Sequence, residues 1–82
     1  MSTAKKLLDR MRANPKGDWQ ISDLKTVARH HGYTDRQHGT SHVVFSGPGG
    51  RLTVPARRPI KPPYIREFVE LIDTGIHPRS NT

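Results

Sequence analysis

His42 is the residue whose type and position could best support chemistry. It follows the polar stretch Gly39-Thr40-Ser41 and precedes the apolar residues Val43, Val44 and Phe45. Side chains alternate between the two faces of a β-strand, so Val43 and Phe45 share one face and His42 lies on the other. If the apolar pair packs in a core, His42 faces water. The pattern therefore predicts either an exposed acid–base group or an exposed histidine with no catalytic role.

The charge balance indicates what such a group would act on. The chain has 14 Lys and Arg against seven Asp and Glu, which gives a net charge of +7 and a pI near 10.6. A basic balance in a small domain favours nucleic acid as the partner, then an acidic protein, then an anionic lipid.

Cleavage of RNA without a metal needs a base for the 2′-hydroxyl, an acid for the 5′-oxygen and positive charge beside the phosphate. Histidine suits both proton transfers, because its unperturbed pKa is about 6.5. We therefore predict His42 as the general base or acid. The residues predicted to bind the phosphate are Thr40, Ser41, Arg51, Arg57, Arg58 and Lys61. Alternation also places Arg51 on the face of His42, and we expect the two to lie side by side.

One histidine does not supply both proton transfers. Water, a lysine or a second imidazole such as His38 would complete the pair. We expect no metal and no cofactor, since the few acidic residues form no paired cluster. The glycine-rich segment 47–50 predicts a turn and not a phosphate-binding loop, because no Gly-Lys-Ser or Gly-Lys-Thr follows it.

The elements that must position these residues follow from periodicity, caps and turns. We predict helices at 3–14, 22–31 and 63–75 and strands at 33–36, 41–46 and 51–54. Ser22 is predicted to cap the second helix, Gly32 to follow its end, and Gly75 to terminate the third helix. The order α-α-β-β-β-α indicates an α+β fold, with a three-stranded antiparallel sheet and the helices on one face.

Length and composition bound the remaining choices. Eighty-two residues form one domain, predicted at 1–76 with a flexible tail at 77–82. The chain has no cysteine, which fits a reducing cytosol, and we expect a cytoplasmic location. No apolar run approaches the ~20 residues that span a bilayer, and we expect no membrane partner and no secretory signal.

The order and spacing of several segments within residues 24–76 resemble the HicA family. These segments are Thr40 to Phe45, Leu52 to Pro55, Ile60 to Pro62, and Leu71 to Ile76. HicA proteins are the mRNA-cleaving toxins of HicA–HicB toxin–antitoxin pairs. The resemblance implies a double-stranded-RNA-binding-domain-like fold, a single catalytic histidine at His42, mRNA as substrate and a HicB-like antitoxin as partner. The helix at about 3–14 is additional to the family's usual first helix.

A different class of function fits the same charge and fold. A small RNA-binding or protein-interaction module without catalysis would also carry a basic surface and an exposed histidine. The two hypotheses differ in whether RNA is cut in the absence of metal.

Overall fold

Three helices pack on one face of a three-stranded antiparallel sheet in the computed structural model, which describes residues 3–39 and 41–76. The helices are α1 (Thr3–Ala13), α2 (Ile21–His30) and α3 (Pro62–Ile76), and the strands are β1 (Thr34–His38), β2 (His42–Gly47) and β3 (Gly50–Pro55). The strand order is β1-β2-β3. The predicted α+β arrangement with element order α-α-β-β-β-α is confirmed.

The core lies between the sheet and the helices. Val43 and Phe45 of β2 are fully buried, and the Phe45 ring packs edge-on against Phe68 of α3 with ring centroids 5.2 Å apart. Fully buried residues of the other helices complete this layer: Met11, Leu24, Val27 and Ala28. Because every buried position of the strands points to the helices, the opposite face of the sheet stays open to solvent.

The turn between β2 and β3 fixes how these strands pair. Gly47 lies opposite Gly50, so Pro48 and Gly49 alone form the connection. The Tyr33 hydroxyl, which is buried, donates to the Leu71 carbonyl and accepts from the Gly49 N–H, both at 2.8 Å. A side chain on Gly49 would overlap the Leu71 carbonyl. The turn is therefore held against α3 by one aromatic residue.

The ends of α2 show one confirmed and one wrong prediction. Gly32 follows the helix at φ +79°, and the Tyr33 N–H bonds back to the Ala28 carbonyl at 2.8 Å, as a glycine after a helix end predicts. Ser22 is not the N-cap, because the helix already begins at Ile21. The Asp23 carboxylate accepts the backbone N–H of Gln20 at 3.0 Å and closes the first turn instead.

Two other predicted boundaries are wrong. Gly75 lies inside α3 and does not terminate it. A Cβ at this position would meet the Tyr33 hydroxyl, so glycine here permits close packing. β1 runs to His38, whereas the sequence predicted its end at Arg36. The prediction was too short because the polar residues of this edge strand show no alternation of apolar side chains.

The imidazole of His31 has a buried nitrogen. Nε2 of His31 has no hydrogen-bond partner within residues 3–39 and 41–76. Burial lowers the pKa of His31, the neighbouring His30 lowers it further, and Asp73 opposes both. Asp73 is itself held by the Arg12 guanidinium at 2.5 Å, which joins α1 to α3. Protonation of His31 is therefore disfavoured in the folded protein.

The predicted tail at 77–82 lies outside the described residues. Within the described ranges, no helix combines the length and the hydropathy needed to cross a bilayer.

Candidate active site

His42 is the first residue of β2, and its side chain is exposed. Val43 and Phe45, which follow it on the opposite face, are fully buried. A slip of the strand by one residue would bury His42 and expose both apolar side chains, so the core fixes which way the imidazole points. The predicted exposure of His42 is confirmed.

The connection between β1 and β2 directly precedes His42. Gly39 has φ +64°, a conformation that favours glycine. The Ser41 carbonyl accepts the N–H of Ala56 at 2.8 Å, which ties the loop to the segment after β3. The side chain of Ser41 is exposed. Thr40, the other predicted hydroxyl contact, lies outside the described residues.

The strand register sets what faces His42. Its Cα partners are His38 on β1 and Pro55 on β3. The register thus brings a second histidine, His38, opposite His42. The strand predicted from sequence ended at Arg36 and did not include this residue.

Arg51 shares the open face with His42 but does not lie beside it, so that expectation is wrong. Arg51 is the partner of Ser46, four residues along β2, which is about 13 Å from His42 at the usual rise of a strand. The Arg51 Nε donates to the Ser46 Oγ at 3.4 Å. The two-residue turn causes this offset, because it makes Pro55 the partner of His42.

The open face of the sheet carries a second arginine that the sequence analysis missed. Arg36 of β1 is exposed and lies opposite Val44, diagonally from His42. Diagonal neighbours across an antiparallel pair are about 7–8 Å apart, within reach of long side chains. The residues lining this shallow depression of about 510 Å³ are Thr34, Arg36, Val44, Ser46, Arg51 and Thr53. Arg36 lies two residues after Thr34 on a polar strand, so the alternation of strand side chains could have placed both residues on the same face from sequence alone.

The basic connection between β3 and α3 divides into two parts. Arg58 makes a bidentate pair with Asp18, with Nε–Oδ1 at 3.0 Å and a second contact at 2.6 Å. This hydrogen bonding lowers the pKa of Asp18. Arg58 therefore docks the connection on the α1–α2 loop. Arg57 and Lys61 are exposed and form no ion pair within the described residues.

A cavity of about 400 Å³ lies along the connection between β3 and α3. The residues lining it are Pro55, Arg57, Arg58, Pro59, Lys61 and Tyr64. Pro55, one of these lining residues, is the cross-strand partner of His42. Tyr64 was not predicted as a site residue, although aromatic side chains close to cations are typical of sites for single-stranded nucleic acid. This second basic surface therefore includes the strand partner of His42.

The described part of the chain offers no group of three or more His, Cys, Asp or Glu side chains that could hold a metal ion. What the site presents is one exposed imidazole, arginines on the open sheet face, and a cavity with cationic and aromatic walls. Such an arrangement can bind a polyanion along the sheet and carry out proton transfer at one point of it.

Searches of protein-family models, curated proteins and solved structures give no match to this chain.

Proposed function

We propose that this protein is a metal-independent endoribonuclease that cleaves mRNA, the toxin component of a toxin–antitoxin pair. The observation that carries the proposal is the exposed His42 on β2. The open face of this sheet carries arginines, and Pro55, the strand partner of His42, lines a second basic surface. The open depression supplies Arg36 and Arg51, and the cavity beyond Pro55 supplies Arg57 and Lys61. The site of action is the cytoplasm, where mRNA is found.

The reaction is an internal transesterification. The 2′-oxygen loses its proton to a base and attacks the adjacent phosphorus, and the bond from phosphorus to the 5′-oxygen breaks. The 5′-oxygen leaves with a proton from an acid, which gives a cyclic 2′,3′-phosphate and a free 5′-hydroxyl. His42 acts as the base or the acid, and neighbouring guanidinium and ammonium groups stabilise the charge that develops on phosphorus.

The second proton transfer needs another group. His38 is the Cα partner of His42, and opposite residues in an antiparallel ladder have Cα atoms about 4.5–5.5 Å apart. We therefore propose that either His38 or a water molecule carries out the second proton transfer. Loss of His38 is expected to slow cleavage less than loss of His42 if water replaces it.

The test compares His42→Ala with wild type on purified RNA in buffer containing a metal chelator. Loss of a general acid or base reduces the rate by about 100- to 10,000-fold. His30→Ala is the matched control, because His30 is exposed at the end of α2, in the helix layer. Circular dichroism spectra show whether both variants fold. Full cleavage by folded His42→Ala refutes the proposal.

In cells, induced wild type is expected to arrest growth and degrade mRNA, and His42→Ala is expected to do neither. Absence of growth inhibition by wild type, with the protein present at high level, contradicts the toxin role.

A HicB-like antitoxin is the proposed protein partner. Exposed cations on α1 (Lys5, Lys6 and Arg10) give an acidic antitoxin a surface to contact. A neighbouring reading frame whose product co-purifies with this protein and suppresses its toxicity is the expected finding.

The second candidate function is an RNA-binding module without catalysis. The observation in its favour is the extent of the basic surface, which includes the open sheet face and the cavity at Pro55 and is present whether or not the imidazole of His42 reacts. This candidate predicts salt-sensitive RNA binding and intact RNA after prolonged incubation with wild type.

A further inference from the structure

The cavity beyond Pro55 has the composition of a site for a nucleotide, with flat apolar surfaces and cations together. Tyr64 supplies an aromatic ring, and Pro55 and Pro59 supply the other apolar walls. Its volume of about 400 Å³ lies within the range of small-ligand sites.

Tyr64 is held in place by its own element. It lies in the first turn of α3, where its N–H bonds to the Lys61 carbonyl at 3.0 Å. Its side chain is half-buried and packs partly against the hydrophobic core. The ring is therefore anchored on one side while it lines the cavity, as a stacking platform requires.

The charges around the cavity favour an anion. Arg57 and Lys61 are exposed and have no acidic partner within the described residues. The first turn of α3 carries no acidic residue. Arg58 is paired with Asp18, so it positions the connection and leaves Arg57 and Lys61 as the available cations. An extended single strand with a base and a phosphate offers the matching chemistry.

We propose that this cavity binds one nucleobase of single-stranded RNA, stacked on Tyr64, with the flanking phosphate held by Arg57 and Lys61. The inference rests on the proposed function, because Pro55, which lines the cavity, is the strand partner of His42. The nucleotide bound here is the neighbour of the phosphate at which His42 acts. Tyr64 thus determines which unpaired position of the RNA is presented for cleavage.

The experiment measures binding of a short, fluorescently labelled single-stranded RNA to His42→Ala protein, which holds the RNA without cutting it. The set of RNAs includes versions in which one base at a time is removed and the phosphate chain is kept. Tyr64→Leu in the same background removes the ring and keeps an apolar side chain against the core. Tyr64→Phe keeps the ring and is the matched control.

Base stacking on an aromatic side chain corresponds to about 5- to 150-fold in affinity. We expect Tyr64→Leu to weaken binding of intact RNA by this factor and Tyr64→Phe to leave it unchanged. We expect one abasic position to weaken binding to the parent by a similar factor. The same abasic RNA should lose little further affinity for Tyr64→Leu, because the contact is already gone.

Equal binding of intact RNA by folded Tyr64→Leu and by the parent overturns the inference. The inference is also overturned if the abasic position lowers the affinity for Tyr64→Leu as much as for the parent. Absence of RNA binding by the parent at low salt overturns it as well. Weaker binding of an acidic peptide to Tyr64→Leu, without any abasic dependence in RNA, assigns the cavity to a protein partner and also overturns it.

Failure of the proposed function gives a different result. Suppose that wild type never cuts RNA while Tyr64→Leu and removal of one base still lower RNA affinity in a coupled way. In that case the nucleobase site is supported and the catalytic role of His42 is refuted.

Discussion

The Tyr33 hydroxyl is the contact through which the β2–β3 turn is held against α3, and its removal is a direct test of how this turn is supported. The oxygen donates to the Leu71 carbonyl and accepts from the Gly49 N–H, each at 2.8 Å. Tyr33 is 4% exposed, so water replaces the first bond poorly. Tyr33→Phe removes both bonds and keeps the ring that packs beside Gly47 and Gly75.

Each bond contributes about 1 kcal/mol net, so Tyr33→Phe is expected to lower the free energy of unfolding by about 2 kcal/mol. A domain of 82 residues has a total of roughly 4–12 kcal/mol, so the variant still folds. In a domain of this size the loss corresponds to a fall in Tm of about 8–16 °C. Urea unfolding and a thermal melt followed by circular dichroism measure both quantities.

Tyr64→Phe is the matched control, because the Tyr64 hydroxyl makes no side-chain hydrogen bond within the described residues. Its free energy of unfolding is expected to change by less than about 0.5 kcal/mol. If Tyr33→Phe costs no more than Tyr64→Phe, the hydroxyl does not support the turn and the reasoning is refuted. RNA cleavage by folded Tyr33→Phe at low temperature should match wild type, since the β2–β3 ladder itself positions His42.

Two further predictions concern charge. Arg36→Ala and Arg51→Ala are each expected to reduce the slope of log affinity against log salt for single-stranded RNA by about 0.7, the value for one phosphate contact. Arg58→Ala should change that slope less than either, because Arg58 is paired with Asp18; equal slopes in all three variants would contradict this assignment. The lowered pKa of His31 means that the unfolded chain binds more protons as pH falls through 6.5, so stability is full above that pH and is lost progressively below it. Thermal melts from pH 8 to pH 5 should show this loss in wild type and a smaller one in His31→Phe, and parallel curves for the two proteins would remove His31 as its cause.

Much of the fold could be predicted because it depends on local patterns. Buried Val43 and Phe45 alternate with exposed neighbours, and the stripe of α3 repeats with helical spacing. Gly32 marks the end of α2 because its positive φ is a requirement of the adjacent backbone alone. Gly75 shows the limit of this reasoning. Its neighbour is Tyr33, far away in the chain, and no local pattern distinguishes a glycine that ends a helix from one that permits close packing.

The candidate site divides in the same way. Exposure of His42 followed from the period of two, and a basic surface followed from composition. The sequence did not show that Arg58 is paired with Asp18, forty residues earlier, or that Tyr64 and Pro55 line one cavity. These contacts join separate elements, so they depend on how the connection packs on the helices.

By itself, the sequence determined that an imidazole lies on the solvent-exposed face of a strand in a small, cationic α+β domain. Only the tertiary structure decided what surrounds it. The two-residue turn sets Pro55 opposite His42 and moves Arg51 along the sheet, and the longer β1 brings His38 into the ladder opposite His42. The physical reason is that side-chain alternation is a property of each strand, whereas register is a relation between strands that turn length and hydrogen-bonded pairing fix together.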